Sequence, residues 1–173
     1  STIDPADCDT SFELAGRRYE LPILAAAMDG VVDVRIARMF SELGGLGVMN
    51  LEGIYCRYDE YQPVLDRIVA EDDSEAVTAI FQEVYRQPVL PELIEKRVAE
   101  IKDGGLSAAV SLTPAGAMQH ADAVAAAGAD VLVVQSTVTS TNHRSSSGNS
   151  LDIAGLISRL EIPVIVGNCV TYE

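Results

Sequence analysis

Residues Leu21 to Asn50 read LPILAAAMDGVVDVRIARMFSELGGLGVMN, and this stretch decides the fold class. An apolar run, Leu21 to Ala26, has the length and composition of a buried strand. Asp33 then stands where a helix N-cap belongs, ahead of Val34 to Leu43, in which Ile36, Ala37, Phe40 and Leu43 share one face. Gly44-Gly45 ends that helix, and Leu46 to Met49 is a second apolar strand. Strand, helix and strand in so short a span are the mark of a parallel βαβ unit.

The same alternation continues along the chain. After the second strand comes a long excursion, from Asn50 to about Pro91, with helical periodicity over Val64 to Ala70 and Glu75 to Tyr85. Insertions of this kind on a βα connection are where such folds place function or assembly contacts. Pro91 opens a helix carrying Leu93, Ile94, Val98 and Ile101 on one face and closed by Gly104-Gly105. A third strand, Ser107 to Leu112, runs into Thr113-Pro114, an N-cap and first-turn proline for an alanine-rich helix that ends at Gly128. Val131 to Val134 is a fourth strand, apolar on both faces, followed by a polar loop from Gln135 to Ser150. A helix over Leu151 to Leu160 and a fifth strand, Val164 to Val166, end in Gly167-Asn168.

Five such units predict an α/β protein. Periodicity by itself leaves an open doubly wound sheet and a barrel as alternatives, although no phosphate-loop glycine fingerprint follows the first strand. No linker or low-complexity segment interrupts residues 1 to 173, so one domain is the economical organisation. A complete (β/α)₈ barrel needs roughly 250 residues. With 173, and with Ser1 entering without an initiator Met and Glu173 stopping where a helix would start, the expectation is the amino-terminal part of a longer chain.

Composition excludes some functions. The net charge of −14, from 26 acidic and 12 basic residues, repels nucleic acid and anionic membrane surfaces, so neither is expected as a partner. No apolar run approaches the ~20 residues that span a bilayer. Cys8, Cys56 and Cys169 are an odd number at wide spacings, with no CxxC pair and no signal-peptide pattern, which reads as a cytoplasmic protein.

In parallel α/β folds ligands sit at the carboxyl ends of the strands. The residues there are Ala27-Met28-Asp29-Gly30, Asn50-Leu51-Glu52-Gly53, Thr113, Gln135-Ser136-Thr137 and Gly167-Asn168-Cys169. Apart from Asp29 and Glu52 they are small, uncharged and hydrogen-bonding, a rim for a polar organic ligand rather than for a divalent metal. Each has a plainer reading as well. Met28 could be core filler, Asp29 an N-cap or loop ion-pair partner, and Ser136 and Thr137 could satisfy loop backbone. Cys169 is a candidate nucleophile by position, but no general base is near it in sequence. His120 and His143 lack metal-ligand spacing, and no metal site is expected.

Residues 21 to 50, with their small-small-Met-Asp turn and Gly-Gly helix exit, closely resemble the first βαβ unit of IMP dehydrogenases and GMP reductases. AGADVLVVQST (Ala127 to Thr137) and IPVIVGNCVTYE (Ile162 to Glu173) resemble that family's fourth and fifth strands, in order. The excursion NLEGIYCRY is similar to the subgroup that lacks the tandem regulatory insert, and Asn50 to Tyr85 is too short to hold that insert. The resemblance implies a partial (β/α)₈ TIM barrel. It further implies NAD-dependent oxidation of IMP to XMP by the intact protein, with a purine nucleotide as substrate, a potassium ion and a homotetrameric assembly.

Carried over by position, Ala26 (where typical members have Ser) and Met28 line the nucleotide pocket. Thr113, Gln135, Ser136, Thr137 and Asn168 fall on the dinucleotide side. Gln135 replaces the family's usual Asp, and Leu112-Thr113-Pro114 stands where dehydrogenases have Gly-Thr-His. In the family a cysteine on a loop after the sixth strand adds to carbon 2 of the purine, hydride passes to NAD and water hydrolyses the thioimidate. None of the three cysteines here matches it, so the resemblance predicts an inactive piece with no catalytic residue of its own. GMP reductase is the near alternative. FMN-dependent barrels of the nitronate monooxygenase kind, which share a small-Met turn, are a further one.

Overall fold

The computed structural model describes residues 4–136 and 152–168. Its centre is a five-stranded parallel sheet in the order β3 (Leu24–Ala25), β4 (Leu46–Asn50), β5 (Ala109–Leu112), β6 (Val131–Gln135) and β7 (Val164–Gly167), so each strand pairs with the next along the chain. That sequential order is the order of barrel staves and differs from a doubly wound sheet, in which the strand order reverses. The sheet curls into a partial (β/α)₈ barrel, as the resemblance implies.

Alternation along the strands builds two cores. Met49, Val110, Leu112, Leu132 and Val134 point outward, where they pack with Ala37 of α1 (Val34–Glu42), Ile94 and Val98 of α4 (Pro91–Lys102), and Ala117 and Val124 of α5 (Pro114–Ala126). Leu46, Val48, Ala109 and Val131 form the second core on the concave side. Gly47 explains why the first βαβ unit needs a glycine in its second strand: a Cβ there would meet the Ala37 Cα at 2.6 Å, so α1 lies directly on β4.

A hairpin that sequence reading did not anticipate closes the foot of the barrel. β1 (Phe12–Leu14) and β2 (Arg17–Tyr19) pair antiparallel across Ala15-Gly16, both at positive φ (50° and 79°), as a two-residue primed turn requires. Phe12, Leu14 and Tyr19 pack into the concave core, the rings of Phe12 and Tyr19 stacking at 5.2 Å. Arg17 reaches Asp130 at 2.9 Å, and Asp130 also takes the Lys102 ammonium and the Ala108 amide, tying the plug to the starts of β5 and β6. The concave side is thus filled at the amino ends of the strands.

Most predicted elements stand within two residues of their expected bounds, and the caps are as read. Asp33 accepts from the Ile36 amide at 2.6 Å, and Thr113 accepts from the Gly116 amide at 3.1 Å. The first strand is a correction. Only Leu24–Ala25 pair, because Pro22 has no amide hydrogen to donate and the Met28 amide turns back to the Ala26 carbonyl at 2.8 Å. The excursion holds a 3-10 turn (Ile54–Cys56), α2 (Gln62–Val69) and α3 (Ser74–Val84), packed on one another through Ile54, Ile80 and Val84. The last helix, α6 (Ile153–Arg159), starts from Asp152, which accepts from the Gly155 amide at 2.9 Å. No helix among the described residues is long and apolar enough to cross a membrane.

Candidate functional site at the carboxyl ends of the strands

Register places the polar rim on the concave side. Asn50 pairs with Ser111 one step above the apolar layer of Val48, Ala109 and Val131, and Gln135 pairs with Gly167 a further step up. Above this layer opens a cleft of about 530 Å³. Its walls include Ala27, Asn50, Ser111 and Thr113 on one side and Gln135, Ser136 and Asn168 on the other. Four of the five residues expected on the dinucleotide side therefore converge; Thr137 lies outside the described residues. The Ser136 amide donates to the Gly167 carbonyl at 2.8 Å and the Asn168 amide to the Ser136 carbonyl at 3.0 Å, so the β6 and β7 exits are held as one ledge.

The residues expected to line the nucleotide pocket stand differently. Ala26 is exposed beyond the end of β3, and its neighbour Ala27 lines the cleft. Met28 is 57 % exposed at the rim, so it is not core filler. Neither Ala26 nor Met28 is among the residues lining this cleft.

Both rim carboxylates are committed to the protein itself. Glu52 accepts from the Thr113 amide and, at 2.9 Å, from the Thr113 hydroxyl, which sets its negative charge over the first turn of α5. A threonine hydroxyl has one proton and two lone pairs. Here the proton goes to Glu52 and one lone pair to the Gly116 amide, so Thr113 can only accept one further bond from a ligand. The filled helix N-terminus also disfavours a phosphate at this end of the cleft.

Among the described residues Asp29 is neither an N-cap nor an ion-pair partner. It accepts from the Asn50 side-chain amide at 3.0 Å, the Ile54 amide at 2.8 Å and the Tyr85 hydroxyl at 2.6 Å, while its own carbonyl takes the Tyr55 hydroxyl at 2.7 Å. Gly53 is demanded by this knot, since a Cβ there would lie 1.8 Å from an Asp29 carboxylate oxygen. Burial, and then the charges of Asp33 and Asp29, push the Tyr55 phenol up to about 12. Burial and the hydrogen bond to Asp29 push Tyr85 up as well, so both are neutral donors at ordinary pH.

Arg57 and Arg97 brace the excursion around this knot. Arg57 donates to the carbonyls of Glu52, Tyr85 and Gln87 and lies over the Tyr85 ring at 5.1 Å. Arg97, buried on α4, donates to the carbonyls of Tyr55, Tyr58 and Asp59, pairs with Glu100 and stacks on Tyr61. Neither described cysteine serves the cleft as a nucleophile. Cys56 is buried, and burial pushes its thiol up to about 12. Cys8 lies ahead of the plug hairpin, and Cys169 is outside the described residues. No cluster of three metal-ligating side chains occurs among the described residues.

The model of the IMP dehydrogenase / GMP reductase domain matches residues 1–173. The chain belongs to the IMP dehydrogenase / GMP reductase family. An uncharacterized oxidoreductase of Mycobacterium tuberculosis is 34 % identical over 171 residues, which are 96 % of this chain and 46 % of that protein. The IMP dehydrogenase/GMP reductase-like protein of Corynebacterium glutamicum superposes with a TM-score of 0.87 at 30 % identity, over 97 % of this chain and 45 % of its own. Shorter segments match enzymes with assigned activities: 50 residues are 44 % identical to the IMP dehydrogenase of Methanocaldococcus jannaschii, and 45 residues are 44 % identical to the GMP reductase of Acidovorax ebreus. The chain spans about half the length of the relatives it matches throughout.

Within this family chain, sequence reading missed Tyr85, Arg57 and Arg97 as supports of the rim. Their partners lie 28 to 56 residues away in the cases of Arg57 with Tyr85 and Tyr85 with Asp29, so no local pattern marks them.

Proposed function

We propose that the intact protein containing this chain oxidises IMP to XMP with NAD, in the cytoplasm, and that residues 1–173 supply one wall of the nucleotide and dinucleotide site. The observation that carries this reading is the uncharged, hydrogen-bonding cleft at the carboxyl ends of β4 to β7, in a chain of this family.

The cleft residues suit a nicotinamide and its ribose better than a metal or a polyanion. Gln135, Ser136 and Asn168 offer amide and hydroxyl groups on the β6–β7 ledge, and Thr113 offers an acceptor on the opposite side. When bound, NAD would supply the hydride acceptor. The chain's own part is binding, orientation and exclusion of water. Gln135, uncharged where the family's usual Asp stands, would hold ribose hydroxyls by neutral hydrogen bonds, and Glu52 would keep phosphate away from α5. Ala26 and Met28, at the exposed β3 rim, would meet the purine nucleotide. The nucleophilic cysteine, a potassium ion and a homotetrameric assembly belong to the intact protein in this proposal and rest on the resemblance.

Incubating the intact protein with IMP and NAD should form XMP and NADH, seen by absorbance and chromatography. GMP reductase is the second reading, favoured by the segment shared with the Acidovorax enzyme. Consumption of GMP with a reduced nicotinamide, and none of IMP, would replace the first reading with the second. Turnover of neither purine would overturn both.

A further inference from the structure

We propose that Tyr85, at the end of α3 in the excursion, is a positioning residue for the cleft, acting through Asp29 on Asn50. This deepens the reading of the cleft as a nucleotide site and rests on it.

Asn50 is the cleft-lining residue at the end of β4, and both ends of its amide are held. Its nitrogen donates to Asp29 at 3.0 Å, and its oxygen accepts from the Glu52 amide at 3.0 Å. With one amide hydrogen and the oxygen engaged, Asn50 presents a fixed edge, its second N–H and a remaining lone pair, to whatever enters. That orientation depends on where the Asp29 carboxylate sits. One Asp29 oxygen meets Asn50; the other takes the Ile54 amide and the Tyr85 hydroxyl at 2.6 Å. Tyr85 is itself held by the Arg57 guanidinium over its ring and by the Arg57 bond to its carbonyl.

Deleting the Tyr85 hydroxyl leaves Asp29 with one fewer donor and frees the carboxylate to turn toward solvent, and the Asn50 amide loses its fixed partner. The excursion is therefore a brace on the chemistry-bearing rim as well as a surface elaboration. The binding residue is Asn50; Tyr85 touches no ligand.

The test uses the intact protein as wild type, Tyr85→Phe, Asn50→Ser and the double variant. Tyr85→Phe keeps the ring over Arg57 and beside Phe81. The KM of the nucleotide or of the dinucleotide should rise about threefold to tenfold, with kcat altered less than about twofold, the scale of one lost hydrogen bond expressed in binding. In Asn50→Ser the further Tyr85→Phe change should have no added effect on KM, because the path is already cut. An unchanged KM in Tyr85→Phe, or effects that simply add in the double variant, would overturn the proposal.

Crystal structures of the wild type and Tyr85→Phe separate this from the functional reading. If the wild type turns over neither IMP nor GMP, that reading fails alone, and the positioning claim stands or falls on whether Asn50 leaves Asp29 in the variant. An Asn50 amide that stays where it is sinks it.

Discussion

At the residue scale, two buried groups give this chain a defined response to alkali and to thiol reagents. Cys56 and Tyr55 are adjacent in the 3-10 turn, and burial is the main cause that raises both. A raised folded-state value means that the neutral form is favoured on folding, so its contribution is fully present below the ordinary value and is lost as pH rises through the folded one. Stability of the intact protein should therefore fall between pH 9.0, the ordinary thiol value, and about 12. Tyr55 should add to this fall from 10.0 upward. Denaturant unfolding as a function of pH checks this, and Tyr55→Phe should flatten the upper part of the limb. The same burial predicts that iodoacetamide modifies exposed Cys8 in the native protein and spares Cys56 until unfolding. Peptide mapping that found Cys56 labelled first would contradict it.

At the scale of elements, the excursion between β4 and α4 is held by one buried cation. Arg97 is 3 % exposed and supplies the donors for three carbonyls of the segment from Tyr55 to Asp59, besides its pair with Glu100. Replacing it with methionine keeps much of the stem packing but orphans those carbonyls and leaves Glu100 without its partner. The expected cost is about 3 kcal/mol in denaturant unfolding, with earlier proteolytic cleavage between residues 51 and 90 than elsewhere. Equal cleavage in wild type and Arg97→Met would show that the cation is not what fastens the segment. Helices and their caps were readable at this scale because Asp33 and Thr113 accept from amides within a turn of themselves and Pro91 presets the backbone of a first helical turn. The plug hairpin was not, since an Ala-Gly turn between short strands carries a weaker signal than Asn-Gly and its apolar side chains acquire meaning only over a barrel mouth.

At the scale of the molecule, β3 is a terminal strand of the curved sheet, with β4 as its one strand partner among the described residues. Ile23 and Leu24 beside β3 are 52 % and 43 % exposed, more than a buried stave would be. Exposed edges with apolar flanks pair with whatever offers a complementary edge. Residues 1–173 expressed alone should accordingly elute in gel filtration as species larger than the 18.4 kDa monomer and bind an apolar dye. A stable monomer that binds none would show that the β3 edge is shielded in some other way.

By itself the sequence determined the five parallel strands, the helices between them, the positions of the strand ends and so the set of residues available to the rim, because each of these follows from periodicity and capping within a few residues. Which of those residues are still able to meet a ligand was decided only by tertiary structure. Thr113 is largely consumed by Glu52, 61 positions earlier, and Asp29 by Tyr85, 56 positions later. The physical reason is that a hydrogen-bonding group has few valences, and contacts between elements far apart in the chain spend them in ways no local pattern records.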